Sequence, residues 1–296
     1  MLDWKPRRLV GVVIGILIIA GLLLMDVLLV SYLNSRSVDF LSFFLGLLVV
    51  LSIPALAVLS YLVYGLATLR YLVGRDSLVI SWSRRRENIP LATIQSLVRL
   101  TDGGPRIKRR GFRWPGHCLG WGNDDGGRRL LFYSTGRMAD EVLVTTRTGS
   151  YVISPANPRG FLAALDARRR LGPTQSLEQG RTEAGLVGLP LWHDWIALGL
   201  TGAAALANIS LFGYLSLRYP YLPEIVPLLS EAGEVHLLGA KAELFELPVI
   251  GLSVLVVNTA LGFALHRWER PATYALGAIA VLVQILVWKA ALGLTG

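Results

Sequence analysis

Leu9–Leu33, LVGVVIGILIIAGLLLMDVLLVSYL, carries a single charged residue, Asp26, in 25 positions. A helix needs roughly 20 apolar residues to cross the hydrocarbon core of a bilayer, so this stretch reads as a membrane span. A secretory signal peptide is the rival reading, because Lys5, Arg7 and Arg8 precede the run. The run is too long for one and no small-residue cleavage site closes it, so a retained helix is expected. Four further stretches have the same character. Phe40–Leu69 is uncharged over 30 positions, Trp195–Leu217 over 23, Leu247–Leu265 over 19 and Pro271–Trp288 over 18. The whole chain of 296 residues is 53% hydrophobic and 17% charged, against about 25% charged in an ordinary soluble domain. An α+β membrane protein with five transmembrane helices and one soluble domain is the expected class. Pro54 stands inside the second helix as a candidate kink, while Pro248 and Pro271 stand at helix starts, where proline is tolerated.

Lysine and arginine set the orientation, because basic loops resist export. Lys5, Arg7 and Arg8 precede the first helix, whereas only Arg36 stands between the first and second. Residues 66–190 hold 20 Lys and Arg against 10 Asp and Glu. Both segments are expected on the cytoplasmic side. The 218–246 connection offers Arg218 and Lys241 against Glu224, Glu231, Glu234 and Glu243, and should lie outside. Arg267 and Arg270 return the chain inside, which leaves the C-terminus outside. Cys118 is the sole cysteine and the four histidines are scattered, so neither an intrachain disulfide nor a metal site is expected.

The residues divide into a membrane hairpin (1–73), a cytoplasmic domain (74–171), a Gly/Thr/Gln/Glu-rich tether (172–190) and a three-helix membrane domain (191–296). Within the second, the pattern shortens to strand length. Seven strands are expected: Ser77–Ser83, Asn88–Pro90, Ser96–Leu100, Cys118–Gly122, Arg128–Ser134, Glu141–Thr146 and Ser150–Ser154. Arg84, Arg85 and Arg86 read as the first turn, and Asn123–Gly127 and Arg147–Gly149 as later ones. A closing helix follows, with Asn157 as cap, Pro158 at the first helical position, and Phe161, Leu162 and Leu165 at helical spacing.

This order of strands and terminal helix resembles a pleckstrin-homology (PH) fold. Asn88–Ile94 (NIPLATI), Arg113–Gly116 (RWPG) and Tyr151–Pro155 (YVISP) are similar to phrases of membrane-linked bacterial PH-like proteins. The resemblance implies a multi-pass protein of a bacterial inner membrane. Leu222–Pro227 (LPEIVP), Gly233, Gly239, Lys241 and Pro248 resemble a small membrane domain of unknown function found in immunity proteins of the SdpI type. Leu228 and Leu229 replace that domain's usual histidine, so its role does not transfer to this chain.

The candidate contact surface for lipid or a protein partner is basic and aromatic: Arg84, Arg85, Arg86, Arg106, Lys108, Arg109, Arg110, Arg113 and Trp114, with Phe112 among them. Near an anionic leaflet each such cation contributes about 1 kcal/mol. In eukaryotic PH domains the turn after the first strand grips lipid headgroups, and the resemblance puts Arg84–Arg86 at that turn. The bland reading is a positive-inside bias that meets the membrane without specificity. Nucleic acid is not expected, since no reading helix or base-stacking motif accompanies the charge.

Asp26 is an intramembrane carboxylate, a functional candidate by default. It lies about 17 residues from Leu9, or ~25 Å at 1.5 Å per residue, near the outer interface. Lys289 matches it in depth, and Asn208, Asn258 and Gln284 are the other polar groups of the spans. Structural pairing and interhelical hydrogen bonding are the simpler readings. His193–Asp194 is a tempting pair, but adjacent helical residues point about 100 degrees apart. Neither the Gly103–Gly104 and Gly126–Gly127 turns nor any Ser/His/Asp set has catalytic spacing. The expectation is a non-enzymatic scaffold or binding protein without a cofactor, whose partners are anionic membrane lipid or a membrane-associated protein. The alternative is an immunity, resistance or small-solute transport protein.

Overall fold

The computed structural model describes residues 2–100, 108–123, 127, 129–135, 140–172, 179–183, 194–231, 234–266 and 269–295. Among the described residues, five helices are long and apolar enough to cross a membrane: α1 (Leu9–Leu33), α2 (Phe40–Thr68), α4 (Trp195–Arg218), α5 (Glu246–Leu265) and α6 (Arg270–Thr295). α2 is one helix with Pro54 inside it. The chain forms two compact units, one of residues 1–25 and 52–185, the other of residues 26–51 and 186–296.

The first unit is a pair of sheets. β1 (Leu2–Trp4), β2 (Arg70–Val73), β3 (Ser77–Trp82), β4 (Arg85–Pro90) and β11 (Gly180–Glu183) lie in that order, all antiparallel. The second sheet runs β5 (Ile94–Arg99), β9 (Val142–Thr146), β10 (Ser150–Ile153), β8 (Arg129–Ser134), β7 (His117–Asn123), β6 (Lys108–Trp114), with β8 and β10 parallel. α3 (Pro158–Arg170) closes the unit. Asn157 Oδ1 accepts from the Gly160 amide at 3.0 Å, and Phe161 and Leu165 enter the core.

Alternation builds that core. Leu78, Ile80 and Trp82 of β3 and Tyr71 and Val73 of β2 are buried, with their neighbours turned outward. Leu62, Leu66 and Leu69, from the end of α2, belong to the same cluster. This long apolar helix therefore runs directly into the domain core, because only Leu69 separates α2 from β2. The N-terminal segment is tied down as well. β1 pairs with β2, Ala156 N–H donates to the Lys5 carbonyl, and Trp4 meets Phe161 edge-on at 5.8 Å.

Among the described residues, nine strands, rather than seven, lie between residues 70 and 153. β2 begins at Arg70, ahead of the expected boundary at 74, and is hidden in sequence behind the apolar run of α2. β6 takes the place of an expected connection. KRRGFRW has no apolar alternation to read, and among the described residues β6 is an edge strand paired with β7 alone. The first turn is Ser83–Arg84 alone, with Ser83 at φ 52, and Arg85 and Arg86 belong to β4. β11 forms within the expected tether, and the remainder of that tether (173–178 and 184–190) lies outside the described residues, as do 124–126 of the expected Asn123–Gly127 turn, His193 and Arg267.

In the second unit α4, α5 and α6 pack together, and β12 (Ile225–Glu231) and β13 (Glu234–Ala240) form a hairpin between α4 and α5. The Phe43 ring sits against the backbone of Gly213, where a Cβ would come within 3.1 Å of it.

Candidate functional site

Two turns of the first unit meet the ends of the apolar helices. At the β3–β4 turn the Ser83 amide donates to Thr68 Oγ1 at 3.0 Å, one residue from the end of β3 and at the last residue of α2. Trp82 lies against Gly65, so close that a Cβ there would collide with the indole. Arg84 and Arg86 are exposed at this end, while the Arg85 guanidinium lies over the Trp82 ring at 5.7 Å. At the β6–β7 turn Trp114 Nε1 donates to the Gly11 carbonyl at 2.8 Å. Gly116, at φ +83, rests on the backbone of Gly11 itself.

Adjacent strand residues point to opposite faces, and this separates the basic residues of β6. Arg109 turns inward: its Nη1 and Nη2 donate to Glu141 Oε1 and Oε2 at 3.1 and 2.7 Å. Ser134 Oγ donates to the same carboxylate at 2.8 Å, and the guanidinium lies over Phe132 at 5.1 Å. The Glu141 side chain is fully buried and that of Arg109 is 10% exposed. Arg109 therefore serves the core and leaves the set of surface cations. Trp114, docked on α1, leaves it as well.

Arg110, Phe112 and Arg113 are exposed. Arg110 pairs with Trp121 in the β6–β7 ladder, and its guanidinium lies over that ring at 5.3 Å. Arg129 approaches the same ring at 5.9 Å. Trp121 and Phe112 are 41% and 54% exposed, which makes this a cationic and aromatic surface. Sequence reasoning missed Trp121, Arg129 and Glu141. The first was legible from a two-residue hairpin turn at Pro115–Gly116, which sets Arg110 opposite Trp121. Arg106 and the side chain of Lys108 lie outside the described residues.

His117 is buried against Trp114, ring centroids 4.1 Å apart, and burial pushes its pKa down to about 4. The neighbouring Cys118 thiol is buried too, and burial pushes its pKa up.

The polar groups of the apolar helices fall into separate places. Asn208 Nδ2 donates to the Pro248 carbonyl at 2.9 Å and to Gln284 Oε1 at 3.1 Å, and Gln284 Nε2 donates to the Gly251 carbonyl at 2.8 Å. These bonds join α4, α5 and α6, and a Cβ at Gly251 would intrude on both amides. Asn258 borders a small cavity of about 40 Å³ with Thr201, Thr259 and Thr273. Asp26 is half-buried in α1 and Lys289 is exposed on α6. Asp194 caps α4 through the Ile196 and Ala197 amides and accepts from the Tyr274 hydroxyl at 2.7 Å. That hydroxyl, ahead of the cap, holds the Asp194 carboxyl below its ordinary range. His266 Nε2 stands 3.7 Å from the same carboxylate.

Two packed sheets closed by a C-terminal helix, with basic turns at one end, are the geometry expected of the resemblance. Residues 69–169 match the bacterial PH domain family. The matched stretch of this PH domain opens at Leu69 and closes within α3, so it takes in β2 and all of the second sheet. The match ends ahead of Leu222, so the expected resemblance of the 222–248 stretch to immunity proteins of the SdpI type has no family match behind it. No curated protein and no solved structure matches the chain.

Proposed function

We propose that this protein is a non-enzymatic membrane scaffold with five spans, its N-terminus and PH domain cytoplasmic and its C-terminus outside. In this reading α1 and α2 hold the PH domain at the bilayer surface, so that Arg84 and Arg86 meet anionic headgroups. The farther surface, Arg110, Phe112, Trp121 and Arg129, then takes a membrane-associated protein. The observation that carries the reading is the continuity of α2 with the domain core through Leu62, Leu66 and Leu69. A domain joined to its span without a linker keeps one end at the membrane. Trp121 between two guanidiniums lies four residues along β7 from the docked His117, or ~13 Å at about 3.3 Å per residue. Exposed Trp and Arg are the residue types most enriched in the energetic centres of protein interfaces. Asn208 and Gln284 hydrogen-bond each other and the backbone, which favours a structural bundle over a solute path.

The test is purification of the full-length protein from its native membrane in mild detergent, with retained lipids and proteins both measured. Double charge reversal, Arg84→Glu with Arg86→Glu, is expected to reduce retained anionic lipid while leaving the thermal unfolding of the protein unchanged. Equal retention by the variant would overturn the lipid contact.

A further inference from the structure

The PH domain has a further basic site at the end of its strands away from α1 and α2, and it shares Arg129 with the cationic and aromatic surface around Trp121. A cleft of about 350 Å³ opens there beside the β9–β10 turn, within the size range of small-ligand sites. Arg129 and Arg147 line it together with Thr145, Thr146, Thr148 and Ser150. Gln95 completes the side-chain lining, and no carboxylate borders the cleft among the described residues. The ladders fix its place. Ser134 pairs with Cys118 close to the docked β6–β7 turn, whereas Arg129 pairs with Asn123 at the other end of the same two strands. The five steps from Arg129 to Ser134 along β8 span ~17 Å at about 3.3 Å each. Ser150 pairs with both Leu130 and Thr145, which brings the β9–β10 turn beside the start of β8.

The turn is rigid. The Thr146 amide and hydroxyl both donate to the Gly149 carbonyl, at 2.8 and 2.7 Å, and the Gly149 amide donates to the Thr146 hydroxyl at 3.1 Å. Arg147 therefore projects from a closed turn, while Arg129 is held across the face of Trp121. A guanidinium offers five N–H donors in a planar fork that matches an oxyanion in a bidentate manner. Two forks with adjoining hydroxyls supply more donors than a carboxylate's two oxygens accommodate, and suit a phosphate group with its further oxygens.

We propose that this cleft binds the phosphate group of a soluble ligand. The chemistry alone is shared with a phospholipid headgroup, and the position of the cleft separates the two sources. The headgroups reach the domain at its Ser83–Arg84 and Pro115–Gly116 turns, whereas the cleft lies at the opposite end of the strands. This assignment rests on the membrane placement proposed above for its source, but not for its chemistry.

The experiment is calorimetric titration of inorganic phosphate into the full-length protein in phosphatidylcholine nanodiscs, at constant ionic strength with chloride as the reference anion. Saturable one-site binding is expected, weakened by about tenfold or more, a change of ~1.4 kcal/mol, in Arg129→Gln and in Arg147→Gln. Arg84→Gln is expected to bind phosphate like the wild type. Arg129 and Arg147 are both exposed, so the variants keep the fold, and matching thermal unfolding curves check this. No saturable binding, or equal binding by both variants, overturns the proposal. In discs containing phosphatidylglycerol, unchanged phosphate affinity supports a soluble source, and competitive loss of phosphate binding overturns it. Retained lipid on the wild-type protein is read separately through Arg84 and Arg86, so failure of either proposal is distinguishable from failure of the other.

Discussion

The indole of Trp114 donates to the carbonyl of Gly11 at 2.8 Å, a hydrogen bond that joins the β6–β7 turn to the first turn of α1. It is possible because two glycines meet there, Gly116 lying on the backbone of Gly11. This contact and the continuity of α2 with the core attach the PH domain to two apolar helices at once.

Gly116 tests the contact. At φ +83 a side chain is strained, and a Cβ would come within 2.8 Å of the Gly11 Cα. Gly116→Ala is expected to destabilise the PH domain by about 1–3 kcal/mol. Trp114→Phe, which keeps the ring and loses the donor, should cost about 1 kcal/mol. Thermal unfolding followed by near-ultraviolet circular dichroism measures both. A Gly116→Ala protein as stable as the wild type would show that the turn does not dock on α1.

Arg109 and Glu141 form a buried, bidentate pair. Removing one partner leaves the other charge buried alone, so Glu141→Leu is expected to cost about 3–5 kcal/mol. Arg109→Met should cost a similar amount, and the double variant clearly less than the sum of the two. A double-mutant cycle on unfolding free energies reads the coupling. Strictly additive losses would mean that the two side chains act independently.

His117 makes the PH domain sensitive to acid. Its folded pKa is about 4, lowered by burial from an ordinary 6.5. Below about pH 6.5 the unfolded chain binds the proton that the folded chain refuses, so stability falls as pH drops towards 4. The contribution is complete above pH 6.5 and its loss is on the order of 3 kcal/mol by about pH 4. Comparing unfolding at several pH values with His117→Phe isolates it. Identical pH profiles for the variant and the wild type would remove His117 as the cause.

Legibility in the sequence followed the strength of the local pattern. α3 was readable from Asn157, Pro158 and the Phe161–Leu165 spacing, because cap and apolar face are local signals. β6 was not, since KRRGFRW has no period-2 apolar face and becomes a strand only through its ladder with β7. β2 was concealed because Tyr71, Leu72 and Val73 follow the apolar run of α2 with Arg70 alone between them. The basic surface was visible as composition, yet its division was not. Arg109 and Arg110 are neighbours of one residue type, and the sheet sends the first to Glu141 and the second to Trp121.

Length and charge alone determined the five long apolar helices, since the hydrophobic thickness of a bilayer is met or missed within one continuous segment. The bacterial PH domain was likewise written in short phrases and in the order of its strands. Only the tertiary structure decided which cations face solvent, that Arg129 and Arg147 line one cleft, and how the apolar helices join the domain. Those outcomes depend on strand register and on contacts such as Trp114 with Gly11, between residues 103 positions apart. No local pattern in a sequence encodes a partner at that separation.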